Sequence, residues 1–346
     1  MKTLDIYIID SGARVIDALE KLNRQQQAMT LFVVDESWRL IGTITDGDIR
    51  RRLVAGTGLG DSVSAVMNTQ YKYLRNADID VAEIRKFKAL GIALVPVLDE
   101  KGHIIDILNL RRQQSYLPVD AVLMAGGKGE RLRPMTLTTP KPLLKIGGKA
   151  IIDYNIDRLI DFGIKNISVT VNYLKEQIEA HFAEPRGAVK INTVEEPSFL
   201  GTIGSIKFVP EFHNDVVLLM NSDLFTNINF EDMYLHFMEH GADMSAAAVP
   251  YDVSVPLGIF DLDGRNIRGI IEKPTYNFYA NAGIYMFKRE LIDCIPDNTF
   301  YNATDLIARL AAEGRRVIRF PIAGYWLDIG KPEEYARAQV LAKHVR

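Results

Sequence analysis

Two apolar runs separated by a short acidic stretch occur twice in the first third of the chain. The first pair covers residues 31–34 and 40–44, and the second covers 94–98 and 104–108, about 64 residues later. Two short apolar runs joined by a polar turn are typical of a β-hairpin. The repeat therefore predicts two hairpin units, which we expect to pack together as one pseudo-symmetric module.

A helical pattern precedes each hairpin. Before the first hairpin, four apolar residues recur at i, i+3, i+4 and i+7, the spacing of one helix face. They are Val15, Ala18, Leu19 and Leu22. Before the second hairpin the pattern is less regular, and Ile79, Ala82 and Leu90 are the candidates for the buried face.

From residue 119 onward, predicted strands and helices alternate. Continuous apolar runs are typical of strands buried on both faces of a parallel sheet. The predicted strands are 119–124, 167–171, 216–220, 259–262, 267–271 and 281–287. Asp263 and Gly264 lie between two of these strands and favour a tight hairpin turn.

Two helices are also predicted in this part of the chain. The first has its apolar face at Ile152, Ile156, Leu159 and Ile160, followed by Gly163 as a cap. The second begins at Pro332 and carries Tyr335, Ala338 and Val340. Strands that alternate with helices predict an α/β domain with a mainly parallel sheet. We place the boundary between the two domains at residues 117 and 118.

Composition narrows the function classes. The 346 residues carry 41 Lys and Arg against 44 Asp and Glu, a net charge of −3, so we expect neither a nucleic-acid nor an anionic-membrane partner. A single cysteine, Cys294, excludes an internal disulfide and a cysteine-based zinc cluster. The N-terminal stretch has charges within its apolar part, which is unlike a signal peptide. We therefore expect a cytoplasmic protein.

A glycine-rich turn follows the strand at 119–124. Gly126, Gly127 and Gly129 would let the backbone approach a ligand and present N–H groups to phosphates, and Arg131 would add a cation. A P-loop is excluded because Lys128 is followed by glycine, and a dinucleotide fingerprint is excluded because Leu132 stands at its third glycine. The alternative is a plain tight turn.

Three further positions carry charge that suits phosphate chemistry. Lys141 lies between two prolines that hold it in an extended loop, where it could neutralise a phosphate or be a solvated surface lysine. Asp223 follows the buried strand at 216–220, and Asp328 lies in an apolar stretch. Two carboxylates near phosphates are natural ligands of Mg²⁺, although either could instead cap a helix or turn.

A possible sugar site follows the predicted hairpin. Glu272 and Lys273 pair a hydrogen-bond acceptor with a cation, and Asn281 adds an amide. Carboxylate and amide groups suit sugar hydroxyls, and lysine suits a sugar phosphate. The alternative for Glu272 and Lys273 is a surface salt bridge.

Taken together, residues 119–346 resemble the sugar-1-phosphate nucleotidyltransferases. The resemblance rests on the ordered motifs AGGKGERLRPMT, PKPLL, LGTIGS, NSD and EKP, followed by NAGIY and WLDIG. It implies a Rossmann-like α/β fold with a mixed, mainly parallel sheet. It also implies an enzyme in which a sugar-1-phosphate oxygen attacks the α-phosphorus of an NTP directly, with Mg²⁺ as cofactor and pyrophosphate as leaving group.

The resemblance assigns roles to individual residues. Arg131 and Lys141 would contact the phosphates, while Asp223 and Asp328 would hold Mg²⁺. The nucleotide-binding residues would be Ala125, Gly126, Gly127, Gly129, Gly201 and Thr202. The sugar-phosphate-binding residues would be Gly258, Glu272, Lys273 and Asn281. The stretches ERLRPM and VNYL look like the guanylyltransferase branch, which favours GTP, with uridylyl and thymidylyl transfer as alternatives.

The N-terminal repeat, residues 1–117, resembles a pair of CBS domains. The stretch GTITDGDIR is similar to the adenosyl-ligand motif of that family, in which Thr45 and Asp48 would bind ribose hydroxyls. In the second copy Asn109 and Arg112 stand at the equivalent positions, so a second ribose site of this pattern is not expected. An adenine or guanine nucleotide is the implied ligand of the pair.

The combination of both parts resembles the glucosamine-1-phosphate guanylyltransferases of bacterial legionaminic-acid synthesis. Mannose- and heptose-1-phosphate guanylyltransferases are the alternatives. A nucleotide-sensing regulatory protein with an inactive transferase domain is a further one, from outside the enzymes. We also expect a homodimer or higher homo-oligomer, and no fused acetyltransferase domain.

Overall fold

The computed structural model describes residues 4–25, 29–76 and 79–344. Within it the chain divides into two compact units, Met1–Tyr116 and Leu117–Arg346. Each unit has its own buried apolar clusters. The two units are therefore described separately.

In the first unit the sequence repeat is also a repeat of topology. The first sheet pairs β1 parallel to β2 and β2 antiparallel to β3, and the second sheet pairs β4, β5 and β6 in the same way. Both predicted hairpins are present. The strands are β1 (Ile8–Asp10), β2 (Thr30–Val34), β3 (Leu40–Thr45), β4 (Leu74–Arg75), β5 (Leu94–Leu98) and β6 (Ile104–Asn109).

The helices of this unit follow the predicted periodicity in one copy and depart from it in the other. They are α1 (Val15–Asn23), α2 (Asp46–Val54) and α3 (Val81–Ala89). Helix α1 buries Val15, Ala18 and Leu22, as predicted. The predicted face of α3 is wrong, because this helix buries Val81, Ile84 and Phe87. Leu90 is 68% exposed since the helix ends one residue before it.

The second unit is built on one large mixed sheet. Its strand order is β11-β10-β7-β12-β17-β14-β18. Pairing is parallel from β11 to β12 and between β14 and β18, and β17 runs antiparallel to both of its neighbours. This confirms the predicted mixed, mainly parallel sheet. The strands are β7 (Val119–Met124), β8 (Lys145–Ile146), β9 (Lys149–Ala150), β10 (Asn166–Val171), β11 (Ile191–Glu195), β12 (Val216–Asn221), β13 (Leu224–Thr226), β14 (Met244–Ser254), β15 (Ile259–Asp263), β16 (Asn266–Ile271), β17 (Thr275–Lys288), β18 (Val317–Pro321) and β19 (Trp326–Asp328).

The described helices of this unit are α4 (Ile151–Asp161), α5 (Lys175–His181), α6 (Phe230–Glu239), α7 (Ala303–Ala312) and α8 (Pro332–Leu341). They pack against the large sheet or, as α8 does, against the short strands β8 and β19 beside it. Helix α4 buries the predicted Ile152, Ile156 and Leu159, and Gly163 follows it with a φ of +78°. The predicted strand at 281–287 is the inner part of the longer β17, whose outer part is exposed. The predicted hairpin forms between β15 and β16, with Gly264 in its turn.

The sheet places two loops side by side. Strands β7 and β12 are parallel neighbours, and Met124 lies opposite Asn221 where both strands end. Ligands of open α/β sheets bind at the carboxyl ends of the strands. The glycine-rich turn after β7 and the Asp223 loop after β12 therefore share one edge of the sheet.

Candidate active site

Hydrogen bonds fix the two neighbouring loops to each other. The Ser222 hydroxyl donates to the carbonyl oxygen of Met124 at 2.6 Å. The buried Asn155 amide of helix α4 donates to the carbonyls of Ser222 and Leu224, at 3.2 and 2.9 Å. Asp223 is thus held between two anchored residues, and its carboxylate is positioned by the sheet rather than by a loose loop.

The glycine-rich turn requires glycine at two of its positions. A β-carbon on Gly126 would stand 1.8 Å from Oε1 of Glu196, so any side chain there would displace this glutamate. Gly129 has a φ of +62°, and a β-carbon there would approach Cβ of Lys141 to 3.1 Å. A plain tight turn would not need these two close approaches. The glycines let this turn pack directly on a buried glutamate and on Lys141.

Lys141 is the centre of the site. It is 8% exposed, so the reading of a solvated surface lysine is wrong. Its ammonium donates to the carboxylate of Asp223 and lies 3.9 Å from Oδ1 of Asp328. One buried cation therefore faces two carboxylates, which the sequence separates by more than a hundred residues.

A short strand pair brings the second carboxylate to the first. Strands β13 and β19 are antiparallel, with Leu224 opposite Asp328, and the Ile329 N–H donates to the carbonyl of Asp223 at 3.2 Å. Burial raises the pKa of the Asp328 carboxyl, and the Asp223 charge raises it further. Lys141 and then Arg131 act in the opposite direction. A further cation near these carboxylates would favour their charged forms.

This donor set fits Mg²⁺. Mg²⁺ is usually bound through one or two carboxylates together with substrate phosphates, rather than by a cage of protein ligands. Asp223 and Asp328 supply two carboxylates that already face one cation. Over the described residues, no group of three or more acidic, histidine or cysteine side chains forms a complete protein cage. The site is thus suited to a metal whose remaining ligands come from the phosphates of a substrate.

Glu196 is a site residue that sequence reasoning left without a role. It follows strand β11, is 3% exposed and packs against Gly126. Its Oε2 accepts a hydrogen bond from the Leu200 N–H at 3.3 Å, and burial raises the pKa of its carboxyl. No cation pairs with it among the described residues. The available signal in the sequence was the position of this carboxylate shortly before the glycine-containing stretch LGTIGS.

The Gly201 segment is held against the start of helix α7. Gly201 has a φ of +79°, and a β-carbon there would stand 2.6 Å from the Tyr301 carbonyl. The Thr202 hydroxyl accepts a hydrogen bond from the Ala303 N–H at 2.9 Å, so it caps α7. Contact of Gly201 and Thr202 with a nucleotide stays a prediction.

The predicted sugar residues form two groups. Gly258 and Glu272 contact each other, because a β-carbon on Gly258 would stand 3.0 Å from Oε2 of Glu272. Lys273 is exposed with a φ of +45°, and no ion pair joins it to Glu272 in the described part of the chain. Asn281 belongs to the second group, on β17, where a β-carbon on Gly283 would meet the Asn221 amide at 2.6 Å. Within the described residues, this second group contacts the strand that leads to Asp223, and the first group does not.

Two clefts of the first unit are lined by residues that the sequence repeat places at equivalent positions, Thr45 in one and Asn109 in the other. One, of about 560 Å³, is lined by Thr45, Lys72 and Arg111 with other residues, and none of the described residues that line it is acidic. Thr45 caps helix α2, and its hydroxyl donates to Asp48 at 2.6 Å. Asp48 also accepts from Arg51 at 2.7 Å and does not line this cleft. Ribose binding by Thr45 and Asp48 stays a prediction.

The other cleft has a different lining. It measures about 500 Å³ and contains Asn109 and Arg112, the counterparts of Thr45 and Asp48. Three carboxylates line it as well, from Asp5, Asp17 and Glu20. Lys21 and Arg24 line it too, so with Arg112 its three cations balance its three carboxylates, whereas the described lining of the first cleft has cations alone.

Comparison with known proteins identifies the second unit. A family model described as nucleotidyl transferase matches residues 120–344, well over half of the chain. The chain belongs to the nucleotidyl transferase family. A CBS domain model matches residues 1–55, the first of the two repeats. The fold of this family is the one that the motifs implied.

Curated members of the family carry guanylyltransferase names. The chain is 30% identical to the mannose-1-phosphate guanylyltransferase of Mycobacterium tuberculosis over 228 residues, and 28% identical to the catalytic subunit beta of the Danio rerio enzyme over 224 residues. The matches cover 63% and 62% of this chain and the same shares of the two relatives. The chain thus spans under two thirds of the length of these relatives.

Solved structures agree in fold. HddC from Yersinia pseudotuberculosis matches 64% of this chain and 99% of its own, with a TM-score of 0.51 and 24% identity. The same protein complexed with GMP-PN matches with a TM-score of 0.50 and 23% identity. In the parts of the chain that the structure describes, no helix is long and apolar enough to span a membrane.

Proposed function

We propose that the chain transfers a guanylyl group from GTP to a sugar-1-phosphate, giving a GDP-sugar and pyrophosphate. The observation that carries this proposal is the buried Lys141 ammonium facing Asp223 and Asp328 beside the glycine-rich turn. Such a cluster can position and neutralise the negatively charged phosphates during phosphoryl transfer. The names of the curated relatives support guanylyl transfer.

The reaction needs no protein nucleophile. The phosphate oxygen of a sugar-1-phosphate is already anionic and can attack the α-phosphorus of GTP in line with the leaving pyrophosphate. The work of the protein is then to position both substrates and to neutralise charge. Lys141 and Arg131 supply cations, and the glycine turn lets backbone N–H groups approach the phosphates.

Asp223 and Asp328 would hold Mg²⁺ in this enzyme. The metal supplies Lewis-acid stabilisation of the phosphates when bound. The raised pKa of Asp328 and its proximity to Asp223 agree with a site that is completed by a cation. Lys141 keeps both carboxylates paired within the protein itself.

Glu196 supports guanine as the base. Guanine presents two adjacent donors, N1–H and the N2 amine, and a carboxylate can accept from both. Adenine has an acceptor at N1, and uracil and thymine lack the paired donor. Glu196 is buried against Gly126 without a cation partner among the described residues, so its oxygens have acceptor capacity left for a base.

Glucosamine-1-phosphate is our proposed sugar, as in the guanylyltransferases of legionaminic-acid synthesis. The exposed Glu272 carboxylate, beside Gly258, supports an amino sugar, because it could pair with the C2 ammonium group. Mannose-1-phosphate is the alternative that the curated relatives favour. We further propose a cytoplasmic enzyme that works as a homodimer or higher homo-oligomer.

The test is a pyrophosphate-release assay with Mg²⁺, using four NTPs against glucosamine-, mannose-, glucose- and heptose-1-phosphate. Turnover with GTP and glucosamine-1-phosphate is the expected result. Turnover of GTP with mannose-1-phosphate alone would overturn the proposed sugar, and a preference for UTP or dTTP would overturn the proposed base. Nucleotide binding without turnover of any pair would favour a regulatory protein over an enzyme.

The first unit is proposed to bind an adenine or guanine nucleotide at the Thr45 cleft. That cleft carries Lys72 and Arg111 and no carboxylate among its described lining residues, which suits an anionic ligand. Calorimetric titration with ATP, AMP and GMP should show binding that Thr45→Val weakens. Equal affinity in wild type and Thr45→Val would exclude this cleft as the site.

A further inference from the structure

The side-chain amide of Asn281 is held at both ends. Its Oδ1 accepts a hydrogen bond from the Gly283 backbone N–H at 3.0 Å, and its Nδ2 donates to the Tyr285 hydroxyl at 2.7 Å. A backbone N–H can only donate, so the oxygen of the amide must face Gly283 and the nitrogen must face Tyr285. One N–H and one lone pair of Asn281 remain for a ligand, each on a known side.

Tyr285 lies on β17, an inner strand of the large sheet, between Leu219 of β12 and Ala246 of β14. Tyr285 is 4% exposed and packs in the apolar cluster that contains Leu219 and Phe287. Burial raises the pKa of its phenol, and the Asn281 amide lowers it. In the described part of the chain, Asn281 is the only hydrogen-bond partner of this hydroxyl. A buried hydroxyl with a single partner has a strong preference to keep that partner.

The Asn281 segment contacts the two strands that lead to the carboxylates of the candidate site. Gly283 has a φ of +71° and lies directly against the Asn221 amide. The Trp326 indole N–H donates to the Ala282 carbonyl at 2.9 Å, and Trp326 is two residues before Asp328 on the same strand. The Asn281 segment is therefore joined both to the strand that leads to Asp223 and to the strand that carries Asp328.

We propose that Tyr285 is a positioning residue that sets the orientation of the Asn281 amide for reading one hydroxyl of the sugar. This inference rests on the proposed function. Tyr285 does not itself reach the ligand, because it is buried below Asn281. Without its hydroxyl, the Asn281 N–H loses its acceptor, and the amide can rotate away from Gly283. The sugar site would then lose a donor and an acceptor of fixed direction.

The experiment compares Tyr285→Phe, Asn281→Ala and the double variant in steady-state kinetics with GTP and the sugar-1-phosphate that wild type turns over. We expect Tyr285→Phe to raise KM for the sugar-1-phosphate about 3- to 10-fold, the size of one lost neutral hydrogen bond, with KM for GTP unchanged. In the Asn281→Ala background the same substitution should have no further effect, since coupled residues are not additive. Tyr325→Phe, at a half-buried tyrosine that does not hydrogen-bond Asn281 in the described part of the chain, is the control.

Two results would overturn the inference while leaving the proposed function intact. One is an unchanged KM for the sugar-1-phosphate in Tyr285→Phe. The other is an equal loss with and without Asn281, together with a lower melting temperature, which would mean that Tyr285 only packs. Absence of wild-type turnover with every pair would instead overturn the proposed function and this inference together.

Discussion

The guanidinium of Arg131 lies against the α-carbon of Gly330. A β-carbon at Gly330 would stand 3.0 Å from Nη2 and 3.2 Å from Cζ of Arg131. Gly330 follows Asp328 by two residues, so this contact holds an exposed cation beside the second carboxylate. The missing side chain of Gly330 leaves room for the Arg131 guanidinium at this position.

Gly330→Ala should therefore act through Arg131. We expect kcat/KM to fall about 10- to 100-fold, less than the loss expected for removal of a cation that touches the phosphates. In an Arg131→Ala background the same change should cost little more. Gly269→Ala, which meets nothing within 4 Å, is the matched control and should keep wild-type activity. A loss that persists unchanged without Arg131 would contradict this role.

Lys141→Met should lower kcat about 10²- to 10³-fold, because it removes the cation that faces both carboxylates. Lys145→Met, an exposed lysine four residues later, serves as the control and should be neutral. The measurement is pyrophosphate release at saturating GTP and sugar-1-phosphate. A wild-type kcat in Lys141→Met would contradict the catalytic role of Lys141 on which the proposed function depends.

Glu196→Gln tests base recognition. A glutamine presents only one acceptor, so kcat/KM for GTP should fall about 10- to 100-fold, whereas ITP, which lacks the N2 amine, should be affected less. The GTP-to-ITP ratio is the measurement. Glu195→Gln changes an exposed neighbour that pairs with Lys175, and it should leave this ratio unaltered. An unchanged ratio in Glu196→Gln would exclude Glu196 as the base contact.

The interactions of Asp243 should make the free energy of unfolding of the second unit depend on pH in the acidic range. The Lys288 ammonium hydrogen-bonds Asp243 at 2.7 Å and holds the pKa of that carboxyl below its usual value, and the Arg316 N–H, at 2.9 Å, acts in the same direction. A lowered folded-state pKa stabilises the fold above the unfolded value of about 3.9. This contribution is lost as the pH falls below that value towards the folded-state pKa.

Asp243→Asn should lower the free energy of unfolding by about 1–2 kcal/mol at pH 7, a range that allows for the partly exposed lysine. The difference from wild type should shrink between about pH 4 and pH 3, since wild type then loses the same charge. Urea unfolding across this pH range is the measurement. Asp261→Asn, at an exposed position, is the control. A difference that stays constant with pH would show that packing, not charge, is lost.

Local pattern was enough to predict six strands of the second unit, including β7, β10, β12 and β17 of the large sheet, but not β11, β14 and β18. Val216–Asn221 is apolar up to its last residue, and Val119–Met124 is apolar except for Asp120; both strands are almost entirely buried, and such runs have few other stable solutions. The face of α3 was mispredicted because Leu90 lies one residue past the helix end, where periodicity carries no information. Helix ends are set by capping and by tertiary contacts as much as by pattern.

The candidate site shows a similar division. Residue types and motif order were enough to single out Lys141, Asp223 and Asp328, but their meeting depends on the β13–β19 pair, which no local pattern predicts. The sequence offered little reason to single out Glu196, because most glutamates in loops are exposed to solvent. Its burial, which makes it unusual, is visible in the structure alone. Non-local pairing and burial are the two properties that a single sequence leaves undetermined.

The two repeats of the first unit share one topology, but two of its clefts differ in the charges that line them. The described lining of one cleft has cations and no acidic residue, while the other carries Asp5, Asp17 and Glu20 together with Lys21, Arg24 and Arg112. An anion would therefore meet only cationic charges in the described lining of the first cleft, whereas in the second it would meet as many carboxylates as cations.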